Sequence, residues 1–339
     1  MNNANRFRFN RRDFLAGTSA LGAASLLGLS RTVAAEPKPE IGRIRMLSGP
    51  AICRAPQVVA EELLLADGFS EVEYVTQDRI RGASAVAQGL ADISIWDAFA
   101  TLPILDAGNP VVVLAGIHAG CWELFVNARI HALRDLKGKT VAIRAFDNGD
   151  YVLLSSMLAY VGMDPRRDVN WIAGRTVTDA MPMFVDGKAD AFMAFAPQGQ
   201  ELRARKIGHV MIDTAQDRPW SQHYCCVVLG NRDFVRAHPV ATKRVLRAFL
   251  KAADICAREP ERVARLLANK GIEPRYEIGL EVFKSLPYDR WRQADPEDTL
   301  RFYALRLHEV GMIKSTPQKI IAQGTDWRFL NELKKELKA

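Results

Sequence analysis

The sequence predicts an α/β protein of two lobes, each a mostly parallel sheet flanked by helices, followed by a helical C-terminal tail. Three observations carry this. Apolar β-rich runs alternate with helix-like segments over about residues 41–229, a pattern of parallel sheets joined by crossover helices. That series restarts near Lys139, and Gly89-Leu90-Ala91-Asp92 in its first half is echoed by Gly187-Lys188-Ala189-Asp190 in its second. Beyond Leu229 the chain reads as almost continuous helix, broken by turns at Pro239, Pro260, Gly271 and Pro287.

Ile41–Leu47 alternates as a strand, 48–56 is a loop, and Gln57–Ala66 is an amphipathic helix ended by Asp67-Gly68. Glu71–Val75 is a second strand, and a short helix ends at Gly89. The stretch from Gly89 to Asn127 then reads β-α-β: a strand entered through Ala91-Asp92, a helix from about Ala98, a Gly108-Asn109-Pro110 break and two further strands. After Lys139–Ile143 comes a helix from Asp150 to about Tyr160, stopped by Gly162, with short strands at Asn170–Ile172, Asp190–Ala194 and His209–Ile212, and an apolar run at Cys225–Leu229.

With 339 residues, 48% hydrophobic and 25% charged, the chain holds enough apolar material for two packed cores. The formal charge is +7, but five arginines and one aspartate fall in the first 35 residues, and the remaining 41 basic and 38 acidic residues leave +3. No basic face with interleaved aromatics is present, which argues against nucleic acid as a partner. Arg11-Arg12-Asp13-Phe14-Leu15, the Gly/Ala/Leu/Ser run to Ser30 and Val33-Ala34-Ala35 read as a twin-arginine export signal at residues 1–35, cleaved near Ala35, and place the mature chain in the periplasm. A disordered arm or a weak membrane anchor is the alternative. Five cysteines in an oxidising compartment leave at least one free or paired between chains.

Trp96 and Asp97 lie at the carboxyl end of a strand and just before a helix, where open α/β sheets bind their ligands. An indole offers a flat apolar face and a carboxylate accepts from amines or amides; the plain alternative is a core tryptophan and a helix cap. If the Gly-x-Ala-Asp echo marks equivalent units, Ala194 and Phe195 match Trp96 and Asp97 across a shared cleft. Phe146, Asn148, Gly149 and Asp150 sit at a helix start, whose free N–H groups suit an anion. His118 and Tyr224 join the candidate ligand contacts, while Gln77 follows the second strand. The pairs His118/Cys121 and His223/Cys225-Cys226 carry metal-binding residue types, although residues three apart on a strand face opposite ways and His118 and Cys121 need a turn between them. Packed thiols, or a disulfide from Cys121 to Cys225 or Cys226, are the alternatives; no resident metal or cofactor is expected.

The run Ile130-His131-Ala132-Leu133-Arg134-Asp135-Leu136-Lys137-Gly138-Lys139-Thr140-Val141-Ala142-Ile143, the Gly-x-Ala-Asp strand openings and the loop Pro50-Ala51-Ile52-Cys53-Arg54-Ala55-Pro56 resemble the solute-binding proteins of ABC importers in the nitrate, taurine and aliphatic-sulfonate group. The likeness covers about residues 41–229. It implies a type II periplasmic binding fold, with lobe one at 41–122 plus 226–339, lobe two at 123–225, and hinge crossings near Cys121–Val126 and Tyr224–Val228. By the same analogy Ala51, Ile52 and Cys53 line the cleft. It further implies a monomer that captures a small molecule and presents it to a permease without catalysis. Sulfonate and nitrate binders carry Ser, Thr or Gly where this chain has Asp147 and Asp150, so the sequence favours an uncharged or cationic flat ligand, such as a thiamin-precursor pyrimidine. A periplasmic sensor subunit or a secreted enzyme on the same fold is the alternative, although no nucleophile elbow, His-Glu-x-x-His or phosphate-binding loop is found.

Overall fold

Residues 36–49, 51–76, 82–174 and 178–338 are described by a computed structural model. The twin-arginine segment and Gln77 lie outside them. The chain divides into Met1–Pro37, of which only Glu36 and Pro37 are described, and Lys38–Ala339, which packs as one unit.

Strands β1 (Arg43–Leu47) and β2 (Glu71–Val75) pair in parallel, with Ile44 opposite Val72. Helix α1 (Ala55–Ala66) connects them; Pro56 suits its first turn, and Asp67 and Gly68, at φ +100°, end it. A short helix α2 (Gly82–Ala87) leads to β3 (Ile93–Asp97), then α3 (Ala98–Asp106) and β4 (Val111–Ala119). A later strand, β10 (Tyr224–Asn231), inserts antiparallel between β3 and β4. The Asp92 N–H donates to Arg45 O at 2.9 Å and the Leu47 N–H to Ser94 Oγ at 3.2 Å, so β1 lies alongside β3. The order across this half is β2-β1-β3-β10-β4.

The chain crosses to the second half on β5 (Trp122–Val126). There β6 (Thr140–Ile143), α4 (Gly149–Tyr160), β7 (Asn170–Ala173), α5 (Ala180–Val185), β8 (Ala191–Phe195), α6 (Gln198–Ala204) and β9 (His209–Asp213) build a sheet ordered β7-β6-β8-β5-β9. Strands β6 to β9 run one way and β5 runs against them, as β10 runs against β3 and β4. The first half is a two-stranded sheet, β2-β1, set beside a three-stranded one, β3-β10-β4, and the second half is a single five-stranded sheet; the spatial order of strands is the same in both, with the crossing strand second from one edge.

The Gly-x-Ala-Asp echo is the same structural device used twice. Gly89 and Gly187 both take φ +70°, a left-handed turn that glycine adopts without Cβ strain. Asp92 accepts from the Arg45 N–H at 2.8 Å, and Asp190 from the Thr140 N–H at 3.0 Å. The backbone N–H of Asn231 reaches Asp92 O at 2.8 Å, and that of Asn127 reaches Asp190 O at 3.0 Å. Each aspartate thus ties the start of its own strand to the neighbouring strand, while its carbonyl receives the crossing one.

The tail comprises α7 (Arg232–Ala237), α8 (Pro239–Arg258), α9 (Pro260–Asn269), α10 (Tyr276–Ser285), α11 (Pro296–Glu309), α12 (Pro317–Gly324) and α13 (Arg328–Glu336). Prolines open α8, α9, α11 and α12, where a missing N–H costs nothing. Helix α8 packs along α1 and buries Phe249, Ala252 and Ala253. The tail also reaches the second half: α11 lies against both α3 and α4, and Arg203 on α6 bridges Glu281 on α10 at 2.9 Å and also pairs with Glu123 on β5. Among the described residues no helix is long and apolar enough to cross a membrane.

Candidate functional site

The ends of β3 and β8 meet at a seam between the two halves. Trp96 turns its ring beneath the Arg54 guanidinium, 4.7 Å from the centroid, within cation–π reach. Its other neighbour is Gly82, where a Cβ would come within 2.3 Å of the indole, so only glycine leaves room for the ring. Asp97 stands at the start of α3, but its carboxylate makes no cap bond there. It faces Gly149 at the start of α4: a Cβ on Gly149 would lie 2.7 Å from Asp97 Oδ2, 3.0 Å from Phe99 and 3.2 Å from Trp122. The two halves are in close contact at this point. Burial pushes the Asp97 carboxyl up to about 6, nearby Cys53 adds to the rise, and Arg54 and Arg144 oppose it.

On the opposite wall the rings of Trp122 and Phe195 lie 5.6 Å apart, and Arg144 covers both, at 5.3 Å and 4.7 Å from their centroids. Arg144 is held by Asp150, which accepts from its backbone N–H at 2.7 Å and its Nε at 3.2 Å, while the other oxygen accepts from the Tyr151 N–H at 3.0 Å. Asp150 is wholly buried and Asp147 is exposed to solvent. The two acids expected to repel an anion at this helix start are thus placed differently: one is paired with arginine and the other is exposed. Two buried donors around this seam have no hydrogen-bond partner, Arg54 Nη1 and Asn148 Nδ2, while Trp122 Nε1 is turned toward the Asp97 carboxylate without a well-aligned bond.

Of the residues singled out from sequence, Trp96, Asp97, Asn148, Gly149 and Phe195 come together here. Ala51 is half-buried and lines, with Leu47, Arg54, Tyr74 and Lys270, a groove of about 440 Å³ beside α1. Ile52 and Cys53 turn inward on the short 3-10 turn Ile52–Arg54 and face the core. Phe146 is 56% exposed and packs edge-on against Tyr151 at 5.1 Å. Two expected ligand contacts are corrected. Tyr224 is a core residue whose ring fills the space beside Gly116 and whose hydroxyl donates to Ala294 O at 3.1 Å. His118 has no exposed surface and meets Tyr288 edge-on at 5.0 Å, because β4 is buried along its whole length. Arg54 and Arg144 were not singled out from sequence. The signal available for both was a lone arginine at the carboxyl end of a strand or in the loop beyond it, just before a helix.

Beneath the seam, Cys53, His118, Cys121 and Cys226 converge, and beside them Asp97, Cys225 and Cys226; among the described residues these two groups, which share Cys226, have the donor atoms to hold a metal. The turn that His118 and Cys121 require is present, with Gly120 at φ +75° and Cys121 at φ +92°. All five cysteines are free thiols, with Cys121 and Cys225 Sγ 2.8 Å apart.

No curated protein sequence matches the chain. Among solved structures, the periplasmic nitrate-binding protein NrtA of Synechocystis PCC 6803 superimposes with a TM-score of 0.71 at 16% identity, covering 89% of this chain and 90% of that one. The alkanesulfonate-binding protein SsuA of Xanthomonas axonopodis pv. citri, bound to MOPS, gives 0.66 at 16% identity over 87% and 100%. The aliphatic sulphonate binding protein SsuA of Escherichia coli gives 0.65 at 19% identity over 84% and 92%. These likenesses establish the periplasmic binding protein fold. The sequence profile described as "NMT1/THI5 like" matches residues 71–263, well over half of the chain, and the chain belongs to that NMT1/THI5-like family.

Proposed function

We propose that this chain is the solute-binding component of an ABC importer, a non-catalytic clamp whose jaws, 41–122 plus 226–339 and 123–225, close on a small organic molecule at the seam. Export by the twin-arginine route with cleavage near Ala35 would deliver it to the periplasm, where it works as a monomer beside an inner-membrane permease. A ligand that touches both jaws stabilises the closed form by its extra affinity for that form, and no bond need break.

The observation that carries the choice of ligand is the set of unmet donors. Arg54 Nη1 comes from one jaw and Asn148 Nδ2 from the other, both buried and without hydrogen-bond partners, and Trp122 Nε1 on the crossing strand has only the Asp97 carboxylate nearby. Leaving such groups unpaired costs about 1–3 kcal/mol each, so the fitting ligand is rich in acceptors. That favours the sulfonate, taurine and nitrate class over the uncharged or cationic flat molecule expected from sequence; a pyrimidine precursor with ring nitrogens and a phosphate remains the second reading, since Trp96 and Phe195 offer flat faces. The names of NrtA and SsuA as nitrate- and sulfonate-binding proteins agree with the first.

A thermal-shift screen followed by calorimetry tests this, using nitrate, taurine, short alkanesulfonates, aminopyrimidines and aromatic amines. An oxyanion at 100 times its Kd should add about 2.7 kcal/mol of stability by mass action. Arg54→Ala should weaken that binding at least tenfold. Binding confined to amines, or turnover of any of these compounds, would overturn the proposal.

A further inference from the structure

Four side chains beneath the seam are turned toward one another in the interior. Cys53 comes from the turn before α1, His118 from the end of β4, Cys121 from the left-handed turn that follows, and Cys226 from β10, where it pairs in register with His118. All four are buried, and one donor atom of each lies within 4.8 Å of the other three. His118 Nδ1 is 3.1 Å from the carbonyl of its neighbour Ala119. A carbonyl only accepts, so Nδ1 carries the proton and Nε2 presents a bare lone pair. That Nε2 is buried with no well-aligned hydrogen bond, its polar neighbours being the thiols of Cys53 and Cys226.

Packing of the thiols as small hydrophobes accounts for three of these residues and leaves the imidazole lone pair with only weak S–H donors. A metal accounts for all four. Tetrahedral Zn2+ with bonds of about 2.3 Å to sulfur and 2.0 Å to nitrogen needs donors spaced about 3.7 Å apart, and the cluster meets this after a small inward movement. A second-sphere carbonyl fixing the tautomer of a ligating histidine is the arrangement such sites use.

We propose that Cys53, His118 Nε2, Cys121 and Cys226 form a closed Cys3His site for Zn2+. Binding converts three thiols to thiolates and releases three protons, with no change of oxidation state. Four protein ligands leave no open position, so the ion is structural. It joins the chain's first crossing, at Cys121, to its return crossing, at Cys226, and anchors through Cys53 the turn that carries Arg54 to the seam. The site needs Cys121 as a thiolate, so it competes with a disulfide between Cys121 and Cys225.

The full chain, purified under reducing conditions with no added metal, should contain about one zinc per molecule by elemental analysis. After chelation, Co2+ should give the intense visible bands of a tetrahedral thiolate site. Cys53→Ser and His118→Ala should lose the zinc, whereas Cys256→Ser, a buried cysteine on α8, should keep it. If the first two variants fold poorly, the cobalt spectrum of the unmodified chain still decides. Absence of zinc both as purified and after Zn2+ is added, a weak six-coordinate cobalt spectrum, or a Cys121–Cys225 disulfide in the protein as isolated from the periplasm would each overturn the proposal. None of these readouts depends on the transported ligand.

Discussion

If Asp92 and Asp190 are one device used twice, replacing either by alanine should damage its own half and leave the other intact. Asp190 accepts from the Thr140 N–H at 3.0 Å and from Asn127 Nδ2 at 2.7 Å. Alanine there strands two donors, of which the backbone N–H cannot turn to water. At about 1–3 kcal/mol for each stranded group, and with Asp190 itself half-buried, the loss should be about 2–4 kcal/mol. Asp92 accepts from the Arg45 N–H at 2.8 Å, from Nε at 3.2 Å and from Nη2 at 2.5 Å, but the Arg45 side chain is one-third exposed and can rehydrate. Its loss should therefore be of similar size, about 2–4 kcal/mol, in spite of the extra bonds. The two sites share no partner, so a double variant should show the sum of the two losses to within about 0.5 kcal/mol. Urea unfolding followed by circular dichroism, with tryptophan fluorescence as a second probe, measures all three. A loss below about 1 kcal/mol at either position, or strong non-additivity, would refute the equivalence.

Three further outcomes follow from the seam and its surroundings. Gly149→Ala introduces a methyl group 2.7 Å from Asp97 Oδ2, so closure should weaken by about 1–3 kcal/mol while helix α4 is not weakened; a looser scattering profile and weaker ligand binding with unchanged unfolding would show it, and unchanged binding would count against the seam. Asp150→Ala leaves the Arg144 guanidinium buried without its counter-ion and should cost about 3–5 kcal/mol, measured by chemical denaturation; a loss under about 1 kcal/mol would mean Arg144 does not need it. Burial against Phe302 holds the His223 imidazole below its usual range, with Asp298 opposing, so its neutral form is favoured in the folded chain. Stability from this group is complete above about pH 6.5 and falls as pH drops below that value, and His223→Gln should flatten the slope between pH 7.5 and 5; identical slopes would sink the assignment.

The fold was legible where local chemistry decides it. Glu71–Val75 is bounded by its β-branched pattern, the end of α1 by Asp67-Gly68 and the starts of α8 and α9 by Pro239 and Pro260, whereas α1 begins at Ala55, two residues before the expected Gln57, with Pro56 inside its first turn. Side-chain direction was less legible. In β4 and β10 nearly every residue is buried, so alternation carries no information about which face meets the seam, and His118 and Tyr224 fell on the core. Asp150 was misjudged because a carboxylate at a helix start reads as facing the cleft, whereas residues 144–149 fold back and hand it the N–H and Nε of Arg144. Only the turn's three-dimensional path reveals that pairing.

The duplicated strand order explains why the two walls of the seam differ in chemistry. Counting five residues on from Asp92 and Asp190 reaches Asp97 and Phe195; counting five back from Asn231 and Asn127, which meet those aspartates, reaches Cys226 and Trp122. The register pairs Asp97 with Cys226 and Phe195 with Trp122, so equivalent positions have become an acid backed by a thiol on one side and two aromatic rings on the other. Charge is nevertheless supplied from both halves, since Arg54 lies over Trp96 in the first and Arg144 over Trp122 and Phe195 in the second. Each crossing strand lies directly behind the wall it supports, so a change in the path of either crossing alters the wall itself. Whatever fixes Cys121 and Cys226 relative to one another therefore sets the geometry at which Asp97 and Gly149 meet.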